Sequence, residues 1–384
     1  MIIRLIIFLC LLAPLSAQAD EASDVAAFNT VYGEYLDLVN TSKDLDAAII
    51  SAEKVYKLAP RIYSKKSFEY AVITYNLANL HDEKGSIFEN ENEKRALKLY
   101  RDYFKIIDKL KIPQDLDYID KYFAYTTTAH NIDSDNVSKR HEKKLIKIAK
   151  NLNLADETKA ALNFKLGKLK IRSQPSKNAA KYFNSAHKLY LSAHGPDHLK
   201  VADALFWLGI IQTSKENDEN ANKYYLETLR IYELNLKDDT DLPISTHVFL
   251  VNLYETVGKT EEATKHVLAT AVPDSDDTRY IRPLYQAPLV MPKDIPNEIE
   301  SYKVVLNFTV DKAGHTKNII VTETDDVLFN ENSIASLKKF RFTPTIKNDQ
   351  LIEKNDVSLT MNYYTLSRYL PPRRLFDPSS VWFQ

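Results

Sequence analysis

A leucine–glycine pair that recurs at a fixed interval is the feature that most restricts the fold of this chain. Leu166-Gly167 is followed 42 residues later by Leu208-Gly209, and Leu250-Val251 stands after a further 42 residues. A small residue and, one turn later, a larger aromatic one follow each of the first two pairs, namely Ala179 with Phe183 and Ala221 with Tyr225. Self-similarity at a fixed period is typical of stacked helical hairpins. The small residues predict the points where the two helices of a hairpin approach closely, and the aromatic residues fill the gap to the next hairpin.

These sequence words resemble the tetratricopeptide repeat. The segment HGPDHLKVADALFWLG, from His194 to Gly209, is similar to the longer variant of that family, which has a histidine and a glycine in the turn before the next helix. Earlier units are predicted at Asp46–Pro60 and at Tyr70–Tyr103, and a degenerate one at Tyr118–Asn151. A helical domain of another kind is the alternative interpretation.

Tetratricopeptide arrays hold a peptide or a protein against the first helices of their units, and the resemblance implies such a groove here. The residues that the repeat positions assign to it are Tyr75, Asn79, Phe164, Lys168, Arg172, Asp203, Phe206, Asn252 and Glu255. Core packing between units is the alternative for the aromatic members, and a solvated surface is the alternative for the charged ones.

A second pattern occupies the C-terminal part of the chain. Apolar residues alternate along 302–310, which predicts a strand with one buried face, and Asp311 to Gly314 supplies turn residues. A short strand with Ile319 and Val321 on one face follows, then a helix from about Asn330 to Lys339 that ends before Pro344. Alternation from Val357 to Tyr363 completes the order strand, strand, helix, strand.

This order resembles the C-terminal domain of the TonB family. The words that carry the resemblance are VVLNFTVDKAG, FNENSIASLKKFRFTP and DVSLTMNYY, within residues 281–365. The chain departs from the family where Phe340 replaces a tryptophan, where Met291-Pro292 replaces Tyr-Pro, and where Ser301 stands near the place of a glycine.

The TonB resemblance implies that the last strand pairs with an extended segment of a TonB-dependent outer-membrane transporter. Exposed strand edges offer unpaired backbone groups for such an addition. The residues implied are Asp356, Val357, Ser358, Leu359, Thr360, Met361, Asn362, Tyr363 and Tyr364. The alternative is a domain that only dimerises or caps the helical array, because a shared fold is not a shared function.

The N-terminus has the pattern of a secretory signal peptide. Arg4 precedes an apolar run from Leu5 to Ala13, and Ala17-Gln18-Ala19 is a small-x-small cleavage site. We therefore expect export to the periplasm, with an uncleaved inner-membrane anchor as the alternative. Cys10, the only cysteine, lies in the apolar run, so we expect neither a disulfide nor a thiolate metal site in the mature chain.

Composition and motifs argue against several functional classes. Lysine and arginine total 51 against 52 acidic residues, so no basic field favours nucleic acid. The sequence has no glycine-rich phosphate loop, no nucleophile elbow and no His-Glu-x-x-His metal motif. His194 and His198 are four residues apart, but Gly195-Pro196 between them favours a turn between repeats over a metal site. We expect no catalytic residue, cofactor or metal.

Together these patterns predict an α+β multidomain chain, an α-solenoid of tetratricopeptide-like hairpins followed by a small ββαβ domain. The predicted parts are a signal peptide (1–19), the repeat domain (20–272), a linker (273–283), the TonB-like domain (284–365) and an irregular tail (366–384). The function predicted is a periplasmic adaptor whose partners are envelope proteins or extended peptides, among them TonB-dependent transporters or TonB-system components. An envelope assembly scaffold and, less favoured, an enzyme are the alternatives, and a homodimer is left open.

Overall fold

The chain forms two compact units, one up to Ala155 and one from Asp156 onward. The structure is a computed structural model, and it describes residues 19–41, 44–85, 90–132, 136–171, 177–236, 241–278, 281–292 and 301–364. Residues 1–18 of the predicted signal peptide, the groove candidate Arg172 and the predicted tail 366–384 lie outside the described residues.

The first unit consists of helices that pair in chain order. They are α1 (Ala19–Thr41), α2 (Leu45–Leu58), α3 (Phe68–Lys84), α4 (Asn90–Leu110), α5 (Leu116–Ile132) and α6 (Asn136–Asn151). Side-chain caps fix where two of them begin: Asp44 accepts from the amide of Ala47 at 3.0 Å, and Ser67 accepts from that of Tyr70 at 3.2 Å. The pair α5–α6 occupies the stretch predicted as a degenerate repeat.

The second unit begins with three more helix pairs. They are α7 (Asp156–Ile171) with α8 (Lys177–His194), α9 (Leu199–Ser214) with α10 (Asp218–Asn235), and α11 (Asp241–Thr256) with α12 (Thr260–Leu268). The predicted close approach within these pairs is confirmed at Gly167 and Gly209. A Cβ atom at Gly167 would lie 2.8 Å from the ring of Phe183, and one at Gly209 would lie 2.5 Å from the ring of Tyr225.

The chain continues into a mixed region, residues 272–364, which we call the C-terminal module. Its strands are β1 (Val272–Pro273), β2 (Pro283–Tyr285), β3 (Ser301–Val310), β4 (Thr316–Thr324), β5 (Arg341–Phe342), β6 (Thr345–Lys347), β7 (Gln350–Ile352) and β8 (Lys354–Tyr364), and its helix is α13 (Asn330–Leu337). β4, β3 and β8 form an antiparallel sheet in that order, β1 joins β6 and β7, and β2 pairs with β5.

The core of the module lies on one face of the β4-β3-β8 sheet. The alternating residues of β3, from Tyr302 to Val310, are at most 9% exposed and pack with Phe329 and Leu337 from the helical side. Val357, Met361 and Tyr363 of β8 complete the cluster. The buried face of β3 is therefore the one that the alternation predicted. Between α13 and β8 the chain also forms β5, β6 and β7, which the predicted order strand, strand, helix, strand did not contain.

The stretch predicted as a linker, 273–283, contributes residues to the C-terminal module at both of its ends. Val272 and Pro273 pair with β6, and Ile281 is buried in the module core. Asp274 accepts hydrogen bonds from Lys347 at 2.8 Å and Lys354 at 2.7 Å, and these bonds lower the pKa of Asp274 to about 2. Both lysines lie more than 70 residues away along the chain, so the acidic, proline-led composition of the stretch gave no sign of them.

Candidate protein-binding surfaces

The groove candidates of the first unit lie on α3 beside an aromatic cluster. The Tyr75 ring centroid is 5.5 Å from that of Tyr100 and 4.9 Å from that of Tyr103, and burial raises the pKa of Tyr75. Asn79 is exposed, and its side-chain oxygen accepts a hydrogen bond from the Tyr100 hydroxyl at 2.6 Å. Tyr75 therefore serves packing between α3 and α4, whereas Asn79 keeps a surface position.

On α7, the candidates Phe164 and Lys168 both contact aromatic rings of neighbouring helices. Phe164 is half-buried and meets Phe183 edge-on, with 5.5 Å between ring centroids. The exposed ammonium of Lys168 lies 5.5 Å from the ring centroid of Trp207 on α9, within reach of a cation–π contact. Phe164 thus packs against α8, and its predicted part in a groove stays a prediction.

On α9, the candidates Asp203 and Phe206 are half-buried. Asp203 accepts a hydrogen bond from the Tyr232 hydroxyl at 2.7 Å, and burial raises the pKa of its carboxyl group. Phe206 packs edge-on against Phe249 of α11, with 5.2 Å between ring centroids. Both side chains therefore join neighbouring helices, and their predicted part in partner binding stays a prediction.

The two candidates on α11 are covered by the C-terminal module. The side-chain amide of Asn252 donates to the backbone carbonyl of Leu284 in β2 at 2.5 Å. The carboxylate of Glu255, only 9% exposed, lies 2.9 Å from a guanidinium nitrogen of Arg341. These predicted groove positions thus bind a segment of the same chain.

Arg341 is a buried residue in contact with α11 and α12 that was not among the predicted site residues. It is 1% exposed and donates to the Thr264 hydroxyl at 2.7 Å and to the Ala313 carbonyl at 2.9 Å. Its other terminal nitrogen donates to Nε2 of His315 at 2.6 Å. Burial lowers the pKa of Arg341, against the nearby charges of Glu255 and Asp311. An arginine between Phe340 and Phe342 was the available signal, since a charge in a buried aromatic run requires a partner.

β8 is an edge strand of its sheet within the described residues, and its outward backbone groups can be assigned. The backbone amide of Lys303 in β3 donates to the carboxylate of Asp325, and its carbonyl accepts from the backbone amide of Asp325. Both groups of Lys303 therefore point to the β4 side. Lys303 is opposite Asn362, so this pair is a non-hydrogen-bonded one of the antiparallel ladder. By the same alternation, the N–H and C=O groups of Ser358, Thr360 and Asn362 point away from β3.

The two edges of this sheet differ in regularity and charge. Along β4 the register with β3 shifts twice, Asn318 has a φ of 52°, and Lys317 forms an ion pair with Glu353. Along 357–364 the pairing of β8 with β3 is unshifted and the side chains are uncharged. Asp356, the first residue of the predicted edge, has a φ of 58° and lies beside a register shift. Bulges and charges hinder strand addition, so among the described residues β8 is the more accessible of the two edges.

A histidine pair joins the last two helices of the array. Nδ1 of His247 lies 2.9 Å from Nδ1 of His266, and the Tyr254 ring stacks on His266. Burial lowers the pKa of both, that of His247 to about 4. Among the described residues, no cluster of three or more histidine, cysteine or acidic side chains is arranged to hold a metal. None of the helices in the described ranges has the length and apolar content to cross a bilayer.

Comparison with known proteins places tetratricopeptide repeats in the second unit. A tetratricopeptide repeat model matches residues 158–234, which span α7 to α10. None of the curated proteins matches the chain.

Several solved structures are distantly similar, and three of them are BtubC, RapI and Acl4. BtubC (BKLC) from P. vanneervenii is 16% identical, with 65% of this chain and 89% of that chain covered and a TM-score of 0.43. The apo form of RapI is 15% identical, with coverage of 64% and 63% and a TM-score of 0.46. Acl4, an assembly chaperone of RpL4, is 15% identical, with coverage of 62% and 88% and a TM-score of 0.34. The repeat assignment rests on the family model and on the helix pairs themselves.

Proposed function

We propose that this protein is a periplasmic protein-binding adaptor. Its helical pairs bind a protein partner, and its C-terminal module contacts TonB-dependent transport machinery by adding an extended segment to β8. The tetratricopeptide match supports protein binding as the general activity. The periplasmic location rests on the predicted signal peptide, and the TonB-related role rests on the sequence words of residues 281–365.

The observation that carries the proposal is the regular edge that β8 forms within the part of the chain that the structure describes. Ser358, Thr360 and Asn362 direct their N–H and C=O groups away from β3, and residues 357–364 are regular in their pairing and uncharged. In strand addition the backbone supplies the hydrogen bonds, while alternate side chains supply specificity. The exposed side chains of Thr360 and Asn362 lie at the outward backbone positions and would flank the added strand.

The second candidate function is a cap for the helical array. Burial of Arg341 against Glu255 and Thr264 favours it, because a terminal repeat requires something to cover its open face. A cap and an adaptor are compatible, since the docking contacts use β2, β5 and the β3–β4 turn, whereas β8 is on a different part of the module.

Cross-linking in the native periplasm tests the adaptor role. A photo-reactive residue at Thr360 is expected to capture an envelope protein, whereas the same residue at Thr322 on the blunted β4 edge captures none. The backbone is tested with Thr360→Pro, which removes an outward N–H, beside Thr360→Val, which keeps it.

In these variants the photo-reactive group is placed at position 362. We expect Thr360→Pro to abolish its adduct, whereas Thr360→Val should retain the adduct. Capture of no transporter or TonB-system component by the folded protein would reject the TonB-related role. Equal capture by the Pro and Val variants would show that the contact does not use the strand edge.

A further inference from the structure

The module places an extended segment of its own across the last helix pair. Leu284 of β2 is 5% exposed and packs with Val248, Val251 and Val267 from α11 and α12. The backbone carbonyl of Leu284 accepts a hydrogen bond from the side-chain amide of Asn252 at 2.5 Å. An apolar side chain in a helical pocket and a side-chain bond to the backbone are the two contacts by which a groove can hold an extended peptide.

A polar contact beside this segment holds the module in place. Arg341 bridges Glu255 on α11 and Thr264 on α12 to the Ala313 carbonyl in the β3–β4 turn. The turn itself meets α12 closely, because a Cβ atom at Gly314 would lie 2.8 Å from Val267. The guanidinium and carboxylate are both shielded from water, so release of the module must expose and rehydrate two charges.

We propose that the α11–α12 pair is a docking site for an extended apolar segment and that residues 283–285 are its built-in occupant. An external segment of the same chemistry, a proline-led strand with a leucine, binds there only when the module is released. The proposal rests on the proposed function in one respect, namely that the helical pairs bind protein segments. Arg341 then regulates access to the end of that surface.

The linkage to the rest of the chain makes the built-in occupant hard to displace. The module follows α12 directly through β1, so β2 is presented to α11 at an effective concentration on the order of millimolar. When the site is free in only a small fraction of the molecules, its apparent affinity for an external ligand is reduced in proportion to that fraction. Weakening the Arg341 contact is therefore expected to strengthen binding of an external segment without altering the site itself.

The test uses a fluorescent peptide of residues 281–292, IRPLYQAPLVMP, titrated into the full chain. We expect Arg341→Met to bind it at least ~10-fold more tightly than the unaltered protein does. Adding Asn252→Ala to that variant is expected to reverse most of the gain, and a peptide with Leu284→Asp is expected not to bind. Arg230→Met, which removes an exposed arginine paired with Asp197 and Glu227, serves as the matched control and leaves binding unchanged.

Hydrogen exchange of α11 and β2 is followed in the same samples. Faster exchange in Arg341→Met with no gain in peptide binding would overturn the proposal, because the contact would then be structural only. Exchange that stays slow would also overturn it, since Arg341 would not hold the module. If Arg341→Met loses helical content, Glu255→Gln is used instead, because it weakens the same contact. Peptide binding and hydrogen exchange are then measured on that variant. The readout involves neither β8 nor a transporter, so its failure is distinct from failure of the adaptor role.

Discussion

At the scale of single residues, glycine marks the closest contacts between paired helices. Gly209 lies against Tyr225, which is fully buried and bonds through its hydroxyl to Thr213 at 3.0 Å. An added methyl group has no space, because a Cβ atom would lie 2.5 Å from the ring. We expect Gly209→Ala to lower the free energy of unfolding by ~1–3 kcal/mol, because the cost of the clash exceeds the gain from the higher helix propensity of alanine.

Gly33→Ala is the matched control for that measurement. Gly33 lies within α1, and an added Cβ atom there would have nothing within 4 Å. The same substitution should therefore stabilise the protein by up to ~1 kcal/mol through helix propensity alone. Urea unfolding of both variants gives the comparison, and a Gly209→Ala variant as stable as the parent would contradict the close packing.

At the scale of elements, the His247–His266 contact makes the α11–α12 pair sensitive to acid. One imidazole donates to the other, so the contact requires at least one neutral ring. The pKa of His247 is lowered by burial from about 6.5 to about 4, so below pH 6.5 the unfolded chain takes up a proton that the folded chain does not. Stability is therefore lost as the pH falls from about 6.5 to about 4, by ~2–3 kcal/mol.

Asparagine at position 247 isolates this effect, because it keeps a polar group but does not titrate. We expect the unfolding free energy of His247→Asn to fall less steeply over that pH range than that of the parent. His141, whose pKa is also lowered to about 4, provides the comparison, since its slope should persist in the variant. Parallel pH profiles for His247→Asn and the parent would show that the pair does not carry the dependence.

The elements themselves were largely predictable from the sequence. The 42-residue period and the alternation along 302–310 report on local burial, and α7–α12 and β3 follow them. The short strands β1, β2, β5, β6 and β7 were not predicted, because two or three residues carry no periodicity. Asn252 and Glu255 were predicted to line a groove because of their repeat positions. Those positions carry no information about the C-terminal module, which covers both residues.

At the scale of the whole molecule, one buried ion pair is among the contacts that join the last helix pair to the C-terminal module. Glu255 and Arg341 stand 86 residues apart in sequence and 2.9 Å apart in the structure. The arginine between Phe340 and Phe342 indicates that a partner is needed, but no local pattern identifies Glu255 as that partner. The pair joins α11 to β5, two elements of different architecture within the second compact unit.

Removal of one partner should therefore cost more than removal of both. Glu255→Ala leaves a guanidinium that is 1% exposed without its counter-charge, and we expect a loss of ~3–5 kcal/mol in the free energy of unfolding. Glu255→Leu combined with Arg341→Met replaces the pair by apolar groups and should recover most of that loss. Calorimetry of the variants measures it, with Glu353→Ala as control, because the exposed pair of Glu353 with Lys317 contributes at most ~1 kcal/mol. A double variant no more stable than Glu255→Ala would mean that the polar contacts of Arg341 to Thr264 and Ala313, and not charge balance, hold the module to the helices.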